Sequence, residues 1–230
     1  MRLLSLISLG LALPLPSFLA AQEPRLPPAP VPAVNPLVSR IAFGSCSNPD
    51  DPLPILRTVL EWEPDLFVYL PDTNPNKTVL GDAQWEWLRD RLEEPADLRV
   101  IGSSIQFGHQ HNGWESWTNF PLELIKFVDL INETKANGVV FISGDVHWGE
   151  LSVLKTPDCY PLHDLTASGL DRDWNNLEPN QNRHGEACMD FHFGMLDIDW
   201  SGDPSVQLRI HEMTGRARVR KTVRLSGLRF

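Results

Sequence analysis

From Val38 onward, apolar residues recur in two rhythms that take turns along the chain. Short unbroken apolar runs have the length and the turn-rich flanks of buried strands: "VSRIAFGS" (38–45), "DLFVYL" (65–70), "LRVIGSSI" (98–105) and "GVVFISGD" (138–145). Between them lie segments with apolar residues three and four apart, the spacing of one helical face. These are "PILRTVLEW" (54–62), "GDAQWEWLRDRLEE" (81–94), where Trp85, Leu88 and Leu92 share a side, and "PLELIKFVDLINETK" (121–135). After Glu150 the helical rhythm stops. "ELSVLK", "PLHDLTAS", "MDFHFGMLDIDW", "SVQLRIHEM" and "ARVRKTVRL" read as strands separated by turns, so a βα half is followed by a mostly β half. That order predicts an α/β chain in two packed layers, with the first four strands central.

The N-terminus has a different texture. Arg2 is followed by an apolar run from Leu3 to about Leu19 and the small pair Ala20 and Ala21, the layout of a secretory leader cleaved near Ala20 to Gln22. Pro14 and Pro16 interrupt the run and speak against a membrane span of about 20 residues. "QEPRLPPAPVPAVNP" (22–36) fits an extended linker. The expected organisation is therefore a leader over 1–21, a linker over 22–36 and one domain over 37–230, in a secreted, periplasmic or other extracytoplasmic compartment. No further transmembrane candidate is present in the sequence.

A formal net charge of −10 disfavours a nucleic-acid-binding surface, and the basic residues of "GRARVRKTVRLSGLRF" (215–230) fall on the solvated side of a strand pattern. Three cysteines are an odd number for an exported chain. Cys159 and Cys188 lie in polar, loop-like sequence and are the candidate pair, while Cys46 closes an apolar strand and reads either as a buried thiol or as a metal ligand.

In α/β sheets ligands sit where strands end at their carboxyl side. Two such ends carry chemistry: "AFGSCSN", with Gly44, Cys46 and Asn48, and "FISGDVHWGE", with Asp145 and His147 beside Gly144. A carboxylate and an imidazole at one strand mouth suit iron, zinc or manganese, and the same pattern also describes a strand-end turn with a solvated histidine. "GHQHNGW" (108–114) is placed to reach the same mouth; the eight tryptophans are expected to pack.

Taken together, "RIAFGSCSN", "EPDLFVYL", "LGDAQWEWLRDRLEEPADLRVIGSSIQ", "HNGWESWTNFP", "GVVFISGDVHWGELS" and "YPLHDLTASGL" resemble, in collinear order from about Val38 to Trp200, the PhoD-like alkaline phosphatases of the calcineurin-like metallophosphatase superfamily. The resemblance implies a two-sheet α/β/β/α metallophosphatase-like sandwich and an exported phosphomonoesterase or phosphodiesterase acting on a small-molecule phosphoester. It also implies a metal centre, typically iron with calcium. Carried onto this sequence, Cys46 of "FGSC" would ligate iron, and Asp145 and His147 of "GDVH" would bind the metal cluster.

One stretch departs from the pattern. In the family, a strand like "DLFVYL" runs into a Gly-Asp-Asn type turn whose Asp bridges metals, and a long ligand-bearing segment precedes the helix. Here Leu70 is followed directly by "PDTNPNKTVLGD", which matches the far side of that segment. The sandwich is therefore expected to be truncated. Asp72 holds the position of the bridging Asp, but Pro71 stands in place of the Gly and its neighbours match the downstream side. Cys46, Asp145 and His147 supply two potential anions and one neutral imidazole, too little negative charge for closely spaced multivalent cations. The expectation is one weakly held metal in a site open on one side, or a fold-retaining, catalytically weak or inactive chain that at most binds metal or phosphate.

Overall fold

A computed structural model describes residues 4–9, 38–45, 55–70, 79–110 and 114–230. The expected alternation is present. Strand β1 (Leu4–Leu9) is followed by β2 (Arg40–Ser45), helix α1 (Ile55–Glu61), β3 (Leu66–Leu70), α2 (Asp82–Glu93), β4 (Leu98–Ser103), α3 (Pro121–Thr134) and β5 (Val139–Ser143). The β-rich half then contributes β6 (Gly149–Thr156), β7 (Cys159–Ala167), β8 (His192–Asp199), β9 (Ser205–Glu212) and β10 (Ala217–Arg224).

These strands form two five-stranded sheets, ordered β1-β4-β5-β7-β6 and β10-β9-β8-β2-β3. In the first, β1, β4, β5 and β7 run parallel and β6 turns back antiparallel on β7. In the second, β2 and β3 are parallel and the remaining pairs antiparallel. The sheets face each other through β7 against β2, β8 and β9; α2 and α3 pack outside the first sheet and α1 against β8 outside the second. The layers are α/β/β/α.

The sequence pattern explains the local choices. All residues of β4 and β5 are buried, as their continuous apolar runs demand of parallel strands covered on both faces. Helix α3 opens on Pro121, whose missing N–H costs nothing in a first turn, and closes on Lys135 in the left-handed conformation. In β10 the pattern buries Val219 and Val223 and exposes Arg220 and Arg224, so the basic run is the solvated side of an edge strand.

One expectation changes, and one segment takes a place in the sheet. "DLFVYL" does not form a fully buried central strand: among the described residues β3 lies at the edge of the second sheet, paired only with β2, and Leu66, Phe67 and Val68 are half-buried. Its apolar composition matches a buried strand, but no described segment supplies a neighbour on its other side. Leu4–Leu9, inside the expected leader, pairs in parallel with β4 from Leu4 opposite Leu98 to Leu9 opposite Ser103. An uninterrupted apolar run serves a leader and an edge strand equally well, so the pairing describes the same residues without deciding whether they are cleaved.

Candidate functional site

The site is built where β4 and β5 end. Between β4 and α3 the chain loops through 104–120, and an aromatic cluster pins this loop. Phe107 stacks on Phe141 of β5 at 3.7 Å between ring centres, and Trp117, Phe127 and Trp85 meet edge to face around them. Burying one such ring stabilises by about 2 kcal/mol, and edge-to-face contacts add to it. The Trp117 indole N–H donates to Ser103 Oγ at 3.0 Å, fixing the loop to the end of β4.

Below the loop lies a buried polar network. The Asp164 carboxylate on β7 accepts the backbone N–H groups of Phe107 and Gly108, each at 2.8 Å, and the Ser143 hydroxyl at 2.7 Å. Complete burial pushes its pKa up to about 6 despite those three donors. Glu150, fully buried, accepts from Gln106 Nε2 at 2.8 Å, Trp148 Nε1 at 3.0 Å and Arg183 Nε at 2.6 Å, and the ring of His109 approaches it to 3.6 Å. The two carboxylates thus tie residues 106–109 to the ends of β5 and β6.

Gly144 to Trp148 form the turn after β5. Asp145 and His147 both adopt left-handed backbone, with φ of 79° and 63°. Such conformations are uncommon for residues with a Cβ, and β-strand ends that hold two of them store strain of order 1–3 kcal/mol each. The surroundings hold the turn in place: the His147 N–H donates to Ser168 Oγ at 2.9 Å, and the Ser168 hydroxyl donates to the Trp148 carbonyl at 3.3 Å. Behind it, buried His192 accepts the Ser168 N–H at Nε2 and donates from Nδ1 to the Asp190 carbonyl. Burial lowers its pKa to about 4, so the ring is neutral, as this pair of roles requires. The His192 ring fills the space where a side chain at Gly169 would start, with Cε1 2.4 Å from an ideal Cβ.

Asp145 and His147 line a cavity of about 260 Å³ together with Trp114, Glu115, Trp148 and Trp174. The second sheet approaches the same mouth: Gly44 near the end of β2 packs so closely on Leu170 that a Cβ would fall 2.8 Å from its side chain, and Leu170 follows Ser168 by two residues. Cys46 and Asp72 lie outside the described residues, so of the candidate ligands the structure describes Asp145 and His147, which line this one cavity. Among the described residues, no group of three or more His, Cys, Asp or Glu side chains forms a metal site. The donors present fit part of a centre, one carboxylate and one imidazole, and not a closed multi-metal cluster.

Three features escaped the sequence reading. Trp114 and Trp174, sixty positions apart, do not pack as core tryptophans: they meet edge to face at 6.1 Å, and Trp174 stands 6.2 Å from the His147 ring. Trp85, Trp117, Trp148 and Trp200 do pack as expected. Glu115 joins them from "GWESW", the end of the loop expected to reach this mouth. Cys159 and Cys188 remain separate free thiols, each raised to about 11 by burial.

A two-sheet α/β/β/α sandwich with a strained Asp-x-His turn at the carboxyl end of a central parallel strand defines the class, a metallophosphatase-like fold lacking part of its expected length. Residues 68–169, somewhat under half of the chain, match the family model of the PhoD-like phosphatases. It is 31% identical over 83 residues to alkaline phosphatase D of Bacillus subtilis (strain 168), a match covering 32% of this chain and 14% of that protein. Two solved structures are similar in part. "Structure of PhoD" shares 18% identity at a TM-score of 0.44, covering 67% of this chain and 38% of that one. "GAP50 the anchor in the inner membrane complex of Plasmodium" shares 12% identity at a TM-score of 0.46, covering 67% and 45%. The match therefore spans less than half the length of each of these proteins.

Proposed function

We infer that this chain is a metal-dependent phosphoesterase of the PhoD-like kind, working slowly on a small phosphoester through one weakly held metal at Asp145 and His147. The observation that carries the reading is the turn itself. Two potential ligands occupy strained left-handed backbone side by side, over a cavity, at the strand end where this class binds its ligands. A bound cation there would neutralise phosphoryl charge and acidify a water. The protein's own part is to fix the two side chains: the Ser168 and His192 bonds lock the turn, and the Asp164 and Glu150 networks hold the opposite loop against it. Iron and calcium, implied by the family resemblance, are the metals to test.

Hydrolysis of bis(p-nitrophenyl) phosphate after chelation and after return of iron, calcium or both tests the reading. Restored turnover supports it, and turnover indifferent to chelator contradicts it. A second reading, a fold-retaining remnant without efficient catalysis, is favoured by the short coverage of alkaline phosphatase D and by a described donor set of two. Metal binding without turnover would select it.

Export through residues 1–21 belongs to the same proposal. Cleavage near Ala20 to Gln22 would remove β1 and leave β4 as the sheet edge. N-terminal sequencing of the purified chain tests this directly, a start at Met1 contradicting processing.

A further inference from the structure

The walls of the cavity carry a specificity that the phosphoester reading does not use. Trp114 is half-exposed, and its ring stands at 89° to that of Trp174, so the two indoles form a right-angled corner beside His147. The indole nitrogen of Trp174 is itself buried, so the surface its ring leaves to solvent is carbon. The polar lining is acidic: Glu115 and Asp145 contribute carboxylates, and among the described residues no lysine or arginine lines the cavity. A cation finds two π faces and a carboxylate, the combination that recognises ammonium groups. At about 260 Å³ the space lies below the size of drug-like pockets and suits a small head group.

We propose that the corner formed by Trp114, Trp174 and Glu115 binds a small ammonium group, primary or quaternary, carried on the alcohol side of the phosphoester substrate. The inference rests on the phosphoesterase reading for its role in turnover and stands apart from it as a binding site. The substrate is then a zwitterion: its phosphoryl group lies toward Asp145 and His147, and its ammonium group lies in the corner that the two indoles make, one short linker away. Glu115 balances the ammonium charge while Asp145 serves the other end. The two tryptophans come from separate loops, one before α3 and one after β7, so the site exists only in the folded chain.

Two measurements separate the inferences. Tetramethylammonium and a neutral compound that carries the same branched bulk on carbon, 3,3-dimethylbutanol, are titrated into the full chain while tryptophan fluorescence is read, with no hydrolysis required. Saturable quenching by tetramethylammonium, absent with the alcohol and lost in Trp174→Ala, supports the site; equal responses or none overturn it. Trp174→Phe keeps an aromatic face and should retain weakened binding, which guards against a variant that merely misfolds. In the second measurement, p-nitrophenyl phosphocholine and its 3,3-dimethylbutyl counterpart are compared as substrates. The cationic ester should have roughly tenfold higher kcat/KM. That ratio should fall toward one in Trp114→Ala and Glu115→Gln. Hydrolysis of both esters at equal rates overturns the ammonium site and leaves the phosphoesterase reading standing. Ammonium binding without hydrolysis of either ester does the reverse.

Discussion

Arg183→Ala is the sharpest test of how the candidate site is held together. Glu150 is fully buried, and Arg183 Nε, 2.6 Å from its Oε2, is the cation in direct contact with it. Removing the guanidinium leaves a buried carboxylate with Gln106 and Trp148 as neutral donors, both on the other oxygen. Breaking a buried pair from one side costs about 3 to 5 kcal/mol, and the partial exposure of Arg183 places this case at the lower end. A loss of about 3 kcal/mol in a chain of this size lowers Tm by about 6 to 12 °C. The control is Glu150→Gln. There the amide oxygen can still serve Gln106 and Trp148, but the amide nitrogen faces Arg183 donor to donor, so deleting Arg183 in that background should cost under about 1 kcal/mol. Urea unfolding of the two single variants and the double variant should give a coupling of about 2 kcal/mol. Additive losses, with a coupling near zero, would refute the buried pair as the clamp on this loop.

Asp164→Asn should change the pH dependence of stability. Burial raises the Asp164 pKa from 3.8 to about 6, so the native state binds the proton more tightly than the unfolded chain. Its contribution is most favourable below pH 3.8 and is lost as pH rises through 6, by about 3 kcal/mol in all. The variant lacks that loss, so its stability relative to the parent should climb between pH 4 and 6 in urea melts; a constant difference would contradict the buried charge. Gly169→Ala should destabilise by about 1 to 3 kcal/mol, because its Cβ meets the His192 ring and the ring cannot yield without giving up the Ser168 and Asp190 bonds. A thermal melt within 1 °C of the parent would show that the ring moves freely.

Much of the architecture was legible because its signals are local. Unbroken apolar runs gave β2, β4 and β5, helical spacing gave α2 and α3, and the change of rhythm after Glu150 marked the β-rich half. The turn that carries Asp145 and His147 was legible for the same reason, the two sitting two residues apart at a strand end. What escaped depends on contacts distant in sequence. Nothing near Asp164 or Glu150 announces that both carboxylates are buried; the facing sheet and the 104–120 loop bury them. Trp114 and Trp174 differ from core tryptophans only in what the folded chain sets beside them. The edge position of β3 was hidden because an apolar strand looks the same with one neighbour as with two.

The central claim is that Asp145 and His147 hold the metal that turns over phosphoesters. Elemental analysis of the purified chain, read alongside bis(p-nitrophenyl) phosphate hydrolysis in the parent and in His147→Ala, tests it most directly. The expected result is at most one metal per chain with slow turnover, and loss of both metal and turnover in the variant while its fold, by circular dichroism, is kept. Turnover and metal content unchanged in His147→Ala would contradict it.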